Sequence, residues 1–290
     1  MALPLKALYD KQGFVIVPGL VRDDDREELE MACDRVIART RAGQWPYRRT
    51  VGKQFPPYGN DHPDSWGVQH VMHPDLGEPC FVRWYTSLMI TEVARELLEC
   101  GEEDLQMELF NLLINPLESR FALRWHRDDV GEKATEEEEK AALEKWRYGV
   151  QWNTALYRDA CLFLVPGSHR MPRTPEQRAL SETMDPPEDP LEMPGSIQLV
   201  LQPGETVFYN SNILHCAAYE PGEKRATLHA TMGDAKGGST RARNVLQHGL
   251  EWMKEVRFRE DLDEKSVAML DLLLKMHAES GDAVGFSLEN

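Results

Sequence analysis

The sequence predicts a mainly β protein with flanking α-helices, built around one β-barrel or jelly-roll core. Two observations predict it. Between residues 148 and 232 short apolar or alternating runs recur, cut by turns such as Pro166-Gly167 and Pro203-Gly204. Amphipathic helical patterns stand outside that stretch, on both sides of it. The 290 residues, 41% hydrophobic and 28% charged, are an ordinary globular balance with ample chain to bury a core.

Each element has its own signal. Phe14-Val15-Ile16-Val17, stopped by Pro18-Gly19, reads as a buried strand. Asp23 to Asp25 cap a helix to about Ala38, with Leu29, Cys33, Val36 and Ile37 on one face. Residues 42–80 are rich in Gly, Pro, aromatics and His without clear periodicity. They read as a long ordered loop or lid. A helix follows near 87–99. Leu109–Ile114 is an apolar strand, and Phe121, Leu123 and Trp125 alternate with Ala122 and Arg124. Thr135-x-x-Glu138 is a capping box opening a helix to about Trp146. Its run Glu136–Glu139 reads as a solvated face, with Glu136 and Lys140 at i,i+4. Strands are then expected at Tyr148–Leu156, Leu162–Val165, Ile197–Leu201, Thr206–Asn210, Ile213–Tyr219 and Arg225–Met232. Glu220-Pro221-Gly222-Glu223 joins the last two as a hairpin. A final helix spans about 263–278. The expected organisation is one domain over 1–290. It has a core at about 105–232, a lid or substrate loop at 42–80 and a helical extension at 245–290.

Charge and cysteines exclude several classes. Lys+Arg 33 against Asp+Glu 49 gives −16, a field that repels polyanions, so nucleic acid is a poor partner. No stretch approaches the roughly 20 apolar residues of a membrane span, and the start, MALPLKALYDKQG, is too short and charged for a signal peptide. Five scattered cysteines without C-x-x-C fit reduced thiols and a cytoplasmic location.

The chemistry centres on histidine. His-x-Asp is expected by chance about 0.6 times at this composition. The chain has three such pairs: His62/Asp64, His73/Asp75 and His126/Asp128. Side chains at i and i+2 on a strand share a face, and only His126 and Asp128 follow strand-like alternation. The other two pairs carry Pro63 and Pro74 in the middle, which suits a turn. A third ligand from another strand is His215, in Ser211-Asn212-Ile213-Leu214-His215. Two imidazoles and a carboxylate form the facial arrangement of non-haem Fe(II), although Zn(II) is not separable from sequence. Arg225, ten residues after His215, is placed to clamp the far carboxylate of a five-carbon diacid.

At these residues the chain resembles the phytanoyl-CoA dioxygenase family of Fe(II)/2-oxoglutarate oxygenases. The features come in order: Tyr9-x-x-x-Gly13-Phe14-Val15-x-Val17-x-Gly19-Leu20; Trp125-His126-Arg127-Asp128; Cys161-Leu162-x-x-Val165-Pro166-Gly167-Ser168-His169; and Pro203-Gly204-Glu205, His215, Arg225. The resemblance implies a double-stranded β-helix (jelly-roll, cupin-like) core and the iron ligands His126, Asp128 and His215. It implies Arg225 as partner of the 2-oxoglutarate C5 carboxylate, with Asn153 also touching the co-substrate. The implied activity is hydroxylation or another oxidation of a small organic molecule with O2, releasing succinate and CO2. Ala160 and Ala217 depart from the family's usual Gly and Ser. Two other readings stand beside it: a cupin-like metal-binding protein, and a Zn or Mn hydrolase or isomerase without 2-oxoglutarate turnover. His169 reads as structural and His229 as a hydrogen-bonded core histidine. The His62–Asp75 cluster reads as loop chemistry before a second metal site. Arg48, Arg49 and Lys53, among Trp45, Tyr47, Phe55 and Tyr58, read as an ordered surface loop or as contacts for an anionic or aromatic substrate.

Overall fold

The computed structural model describes residues 4–59, 62–183 and 185–281. The end of the expected C-terminal extension, 282–290, lies outside them. The chain opens with α1 (Leu5–Gln12), β1 (Phe14–Pro18), α2 (Asp23–Arg41), β2 (Arg48–Thr50), β3 (Ser65–Val68), α3 (Pro79–Tyr85), α4 (Leu88–Leu98) and β4 (Leu105–Leu113). β5 (Phe121–Ala122), α5 (Glu136–Leu143), β6 (Gly149–Ala155), β7 (Leu162–Leu164), α6 (Pro175–Ser181) and β8 (Ile197–Gln198) follow. The last elements are β9 (Glu205–Tyr209), β10 (His215–Tyr219), β11 (Thr227–Asp234), α7 (Ala242–Leu246), α8 (Val256–Glu260) and α9 (Glu264–Ser280). No helix among the described residues is long and apolar enough to cross a membrane.

Two antiparallel sheets carry the core, in the orders β1-β9-β6-β11-β4-β3-β2 and β5-β10-β7-β8. Strand alternation gives the larger sheet two unlike faces. Trp152, Leu228, Ala230, Phe110 and Leu112 share one apolar cluster with Leu29 of α2, Leu97 of α4 and Leu273 of α9. The opposite face is polar. One cross-strand row pairs Asn153, His229 and Asn111; the next runs Ala155, Thr227, Leu113, Gly67 and Arg49. Polar side chains facing between two sheets lie where a core would put hydrocarbon, and this row marks the site. Apolar clusters from both sheets close its sides: Leu162, Leu164, Val207 and Ile213 at one place, Trp66, Leu113, Ala217 and Tyr219 at another.

A register shift interrupts the β4–β11 ladder between Ala230 and Met232. The buried Tyr85 hydroxyl occupies the gap. It donates to the Thr231 carbonyl at 2.7 Å and accepts from the Glu108 N–H at 2.9 Å, so both freed backbone groups keep partners.

The structure corrects several expectations. Segment 42–80 is not without strands: β2 and β3 extend the large sheet past β4, and α3 follows. Strands of three and four residues are too short to show a period. The helix at 23 has Arg22 at its cap position with no side-chain cap, and Asp23–Asp25 occupy the first turn instead, where they suit the helix dipole. Ile197–Leu201 shrinks to the two-residue β8 plus a bridge from Leu201 to Asp159. Residues 220–223 do not close a hairpin, because β10 lies in the small sheet and β11 in the large one. The turn crosses between sheets.

The charged helix is corrected too. The Thr135/Glu138 capping box is present, yet the helix ends at Leu143 and Glu139 is fully buried. Its carboxylate accepts from Arg127 Nε at 2.9 Å, Arg173 Nε at 3.1 Å and Arg178 Nη2 at 2.7 Å. Partners far off in sequence make this burial tolerable; the Glu run alone carries no sign of it.

Candidate metal centre

The ligand strand is only briefly regular. After β5 it stays tied to the small sheet by Leu123 N–H to Ala217 O, by a mutual pair between His126 and His215, and by Asp128 N–H to Ser211 O. This path brings His126, Asp128 and His215 together, with one ligand atom of each within 4.8 Å of the others. Among the described residues no other group of three His, Cys, Asp or Glu does so. His126 Nε2 and His215 Nε2 lie 3.5 and 3.9 Å from Asp128 Oδ1.

Hydrogen bonds fix the donors. His126 Nδ1–H donates to the Arg124 carbonyl and His215 Nδ1–H to the Ile213 carbonyl, each at 2.8 Å. Both Nε2 lone pairs are thereby left for the centre. Gln151 Nε2 donates to Asp128 Oδ2 at 2.6 Å, leaving Oδ1 facing the histidines. Burial works against the Asp128 charge, but His215, His126 and Gln151 together hold its carboxyl below the usual range. Burial pushes His215 down to about 4. An anionic carboxylate and a neutral imidazole are the forms a metal needs. This donor set, two imidazole nitrogens and a carboxylate with the remaining directions open, fits Fe(II).

Arg127, between two of these residues, points away from the centre. It donates to the carbonyls of Ser168, Asn212 and Met171 as well as to Glu139, and so anchors the ligand strand to three neighbouring segments.

Arg225 and Asn153 line the same cavity as the three ligand-type residues. The Arg225 guanidinium is buried, its Nε bonded to Asp159 Oδ2 at 2.9 Å, and its Nη1 has no partner. Asp159 also accepts from Thr227 Oγ1 and from Cys161 N–H. One N–H of this buried cation is therefore left unpaired beside the cavity, which is unusual for a buried polar group. Asn153 Oδ1 accepts from His229 Nδ1 at 2.8 Å, while its amide nitrogen has no partner among the described residues. His229 is thus hydrogen-bonded as expected, and it also lines the cavity.

Sequence reasoning missed Gln151 and Asp159. Gln151 was within reach, because it stands two before Asn153 on one strand and so shares its face. Asp159 gave no signal; it lies between β6 and β7, bridged to Leu201, and only the fold brings it to Arg225.

The remaining candidates go elsewhere. His62 Nδ1 accepts from Asp64 N–H, and Asp64 binds the backbone N–H groups of Leu117, Glu118 and Ser119. His73 accepts from Asp75 N–H. That cluster is turn chemistry. His169 lies under Gly13, near the Asp10 carbonyl. Cys216 turns away from the cavity into a cluster with Trp125 and Phe163, and all five cysteines are free thiols. Phe55, from the segment expected as a lid, stands edge-on to His126 at 5.3 Å between ring centres.

Known structures share this architecture. EctD from S. alaskensis, solved with 2-oxoglutarate and 5-hydroxyectoine, superposes with a TM-score of 0.58 at 16% identity, over 80% of this chain and 76% of its own. AviO1 from Streptomyces viridochromogenes Tue57 gives 0.57 at 17%, over 79% and 93%. SnoN, the non-haem α-ketoglutarate-dependent epimerase of nogalamycin biosynthesis, gives 0.53 at 19%, over 80% of each chain. No curated protein sequence matches the chain. The model of the phytanoyl-CoA dioxygenase family matches residues 9–225. That span holds every motif noted in the sequence, ending on Arg225. The chain therefore belongs to the phytanoyl-CoA dioxygenase family, and it is an oxidoreductase whose family works with Fe(II), 2-oxoglutarate and O2.

Proposed function

We propose that this protein is a dioxygenase that hydroxylates a small organic molecule at the expense of 2-oxoglutarate, releasing succinate and CO2. One observation carries the reading. Two imidazoles and a carboxylate with preset donor atoms share a cavity with a buried guanidinium that has an N–H to spare. In this reading His126, Asp128 and His215 hold the iron, and iron with 2-oxoglutarate supplies the oxidising chemistry when bound.

The chain's own residues do the positioning. The Arg124 and Ile213 carbonyls hold both imidazoles in the metal-binding tautomer, and Gln151 keeps Asp128 turned inward. Asp159 fixes Arg225 so that Nη1 meets the distal carboxylate of 2-oxoglutarate. Asn153 offers its amide nitrogen beside it. Phe55 covers His126 and keeps water from the reacting face.

With Fe(II), 2-oxoglutarate and O2 the protein is expected to form succinate. His126→Ala is expected to lose metal binding in anaerobic calorimetry; unchanged binding would remove the assignment. Arg225→Gln is expected to weaken 2-oxoglutarate about tenfold to a hundredfold, the worth of a charged hydrogen bond, with metal affinity kept. Activity with Zn(II) and no need for 2-oxoglutarate would sink the whole reading.

A further inference from the structure

The cavity holds a second guanidinium, and its charge is unanswered. Arg49 is 7% exposed and lines the same cavity as the triad. Its Nε is buried without a partner, and it has no hydrogen bond or ion pair among the described residues. Its neighbours are the rings of Trp66 and Tyr58, whose centres lie 5.0 and 5.7 Å from Cζ. Asp128 is the one carboxylate among the described residues lining this cavity, and it belongs to the metal ligands. Arg225, unlike Arg49, has a carboxylate partner in Asp159 and keeps only Nη1 unpaired. A buried guanidinium held only by ring faces is costly to keep, since stacking replaces little of its lost hydration.

The placement is built in. Arg49 pairs with Gly67 across β2 and β3. A Cβ at Gly67 would sit 3.0 Å from Arg49 Cδ, so the glycine makes room for the arginine stem to cross β3. Arg48, its neighbour, turns instead to the carbonyls of His62 and Pro63, which strand alternation requires.

We propose that the oxidised substrate is a small organic carboxylate, its carboxylate bound by Arg49 and its carbon body against Tyr58 and Trp66. This rests on the oxygenase reading above, and it deepens that reading by assigning the substrate's charge. The two guanidiniums divide the work, Arg225 taking the co-substrate and Arg49 the substrate.

The test uses the full chain loaded with Mn(II) and 2-oxoglutarate. Hexanoate, phenylacetate and indole-3-acetate are titrated against their primary amides, read by thermal shift and tryptophan fluorescence. At least one acid is expected to bind tenfold or more tighter than its amide. Arg49→Gln should erase that preference and leave the 2-oxoglutarate affinity within twofold, and Arg49→Lys should restore part of it. Gly67→Ala, which crowds the stem without removing the charge, should weaken the acid and not the amide. Equal binding of acids and amides across the panel overturns the proposal. So does an Arg49→Gln variant that loses 2-oxoglutarate as Arg225→Gln does, for Arg49 would then serve the co-substrate. Failure of the wild type to bind 2-oxoglutarate at all would instead count against the oxygenase reading, and the two failures are thus distinguishable. Melting curves of each variant separate lost binding from lost folding.

Discussion

At the scale of single residues, the groups that orient His126, Asp128 and His215 are expected to matter as much as those three. Gln151 holds the second oxygen of Asp128. Gln151→Leu is expected to lower metal affinity about tenfold to a hundredfold, as removing an outer partner of a ligand usually does. Anaerobic titration with Fe(II) checks it, and an unchanged affinity would assign Gln151 to packing alone. That His126, Asp128 and His215 would lie together was argued from i,i+2 spacing on a strand, and the structure does group them, although the segment after Ala122 keeps only a bridge from His126 to His215. Arg225 was legible as a residue but not by its route. Its reach was argued from a hairpin, whereas the chain brings it to the cavity by changing sheets. Glycine and proline announce that a chain reverses; they carry no information on which layer the returning strand joins.

At the scale of elements, two couplings are open to measurement. Helix α5 is fastened by Glu139, whose buried carboxylate serves Arg127, Arg173 and Arg178. Glu139→Gln keeps the volume and removes the carboxylate that Arg127, Arg173 and Arg178 share, leaving Arg178 only Glu182. A loss of about 3–5 kcal/mol in urea unfolding is expected. A loss of metal affinity should accompany it if His126 and Asp128 hold the metal, since Arg127 anchors the strand between them. A neutral outcome in both would make the helix an ornament. Tyr85→Phe strips the hydroxyl from the β4–β11 irregularity and strands a buried N–H and carbonyl, for an expected cost of about 1–3 kcal/mol. Neither coupling could be read in the sequence. Glu139 sits in a run of four glutamates, three of which are exposed as their composition suggests. What singles it out is a set of arginines up to 39 positions away.

At the scale of the whole molecule, buried neutral histidines set the acid limit. Burial lowers His70 to about 3 and His169 to about 4. Unfolding returns both to about 6.5. The unfolded chain then binds more protons at acid pH. Their contribution is complete above about pH 6.5 and fades as pH falls toward the folded-state values. Near pH 5 the two give a slope of about 2.5 kcal/mol per pH unit. His70→Asn suits the left-handed backbone at φ 58° and removes one titrating group. Urea midpoints between pH 7 and 5 should fall less steeply in that variant; parallel curves would refute the assignment. The layered core, with helices outside and polar rows within, was legible from turn spacing and alternation, while the outermost strands were too short to register. The outermost strand also has an evolutionary corollary. β2 ends the large sheet with β3 beside it, and Arg49 and Trp66 of the ribbon they form line the cavity. If Arg49 meets the substrate as proposed, exchanging that ribbon between homologous proteins is expected to retarget the enzyme toward new molecules while His126, Asp128 and His215 are inherited unchanged.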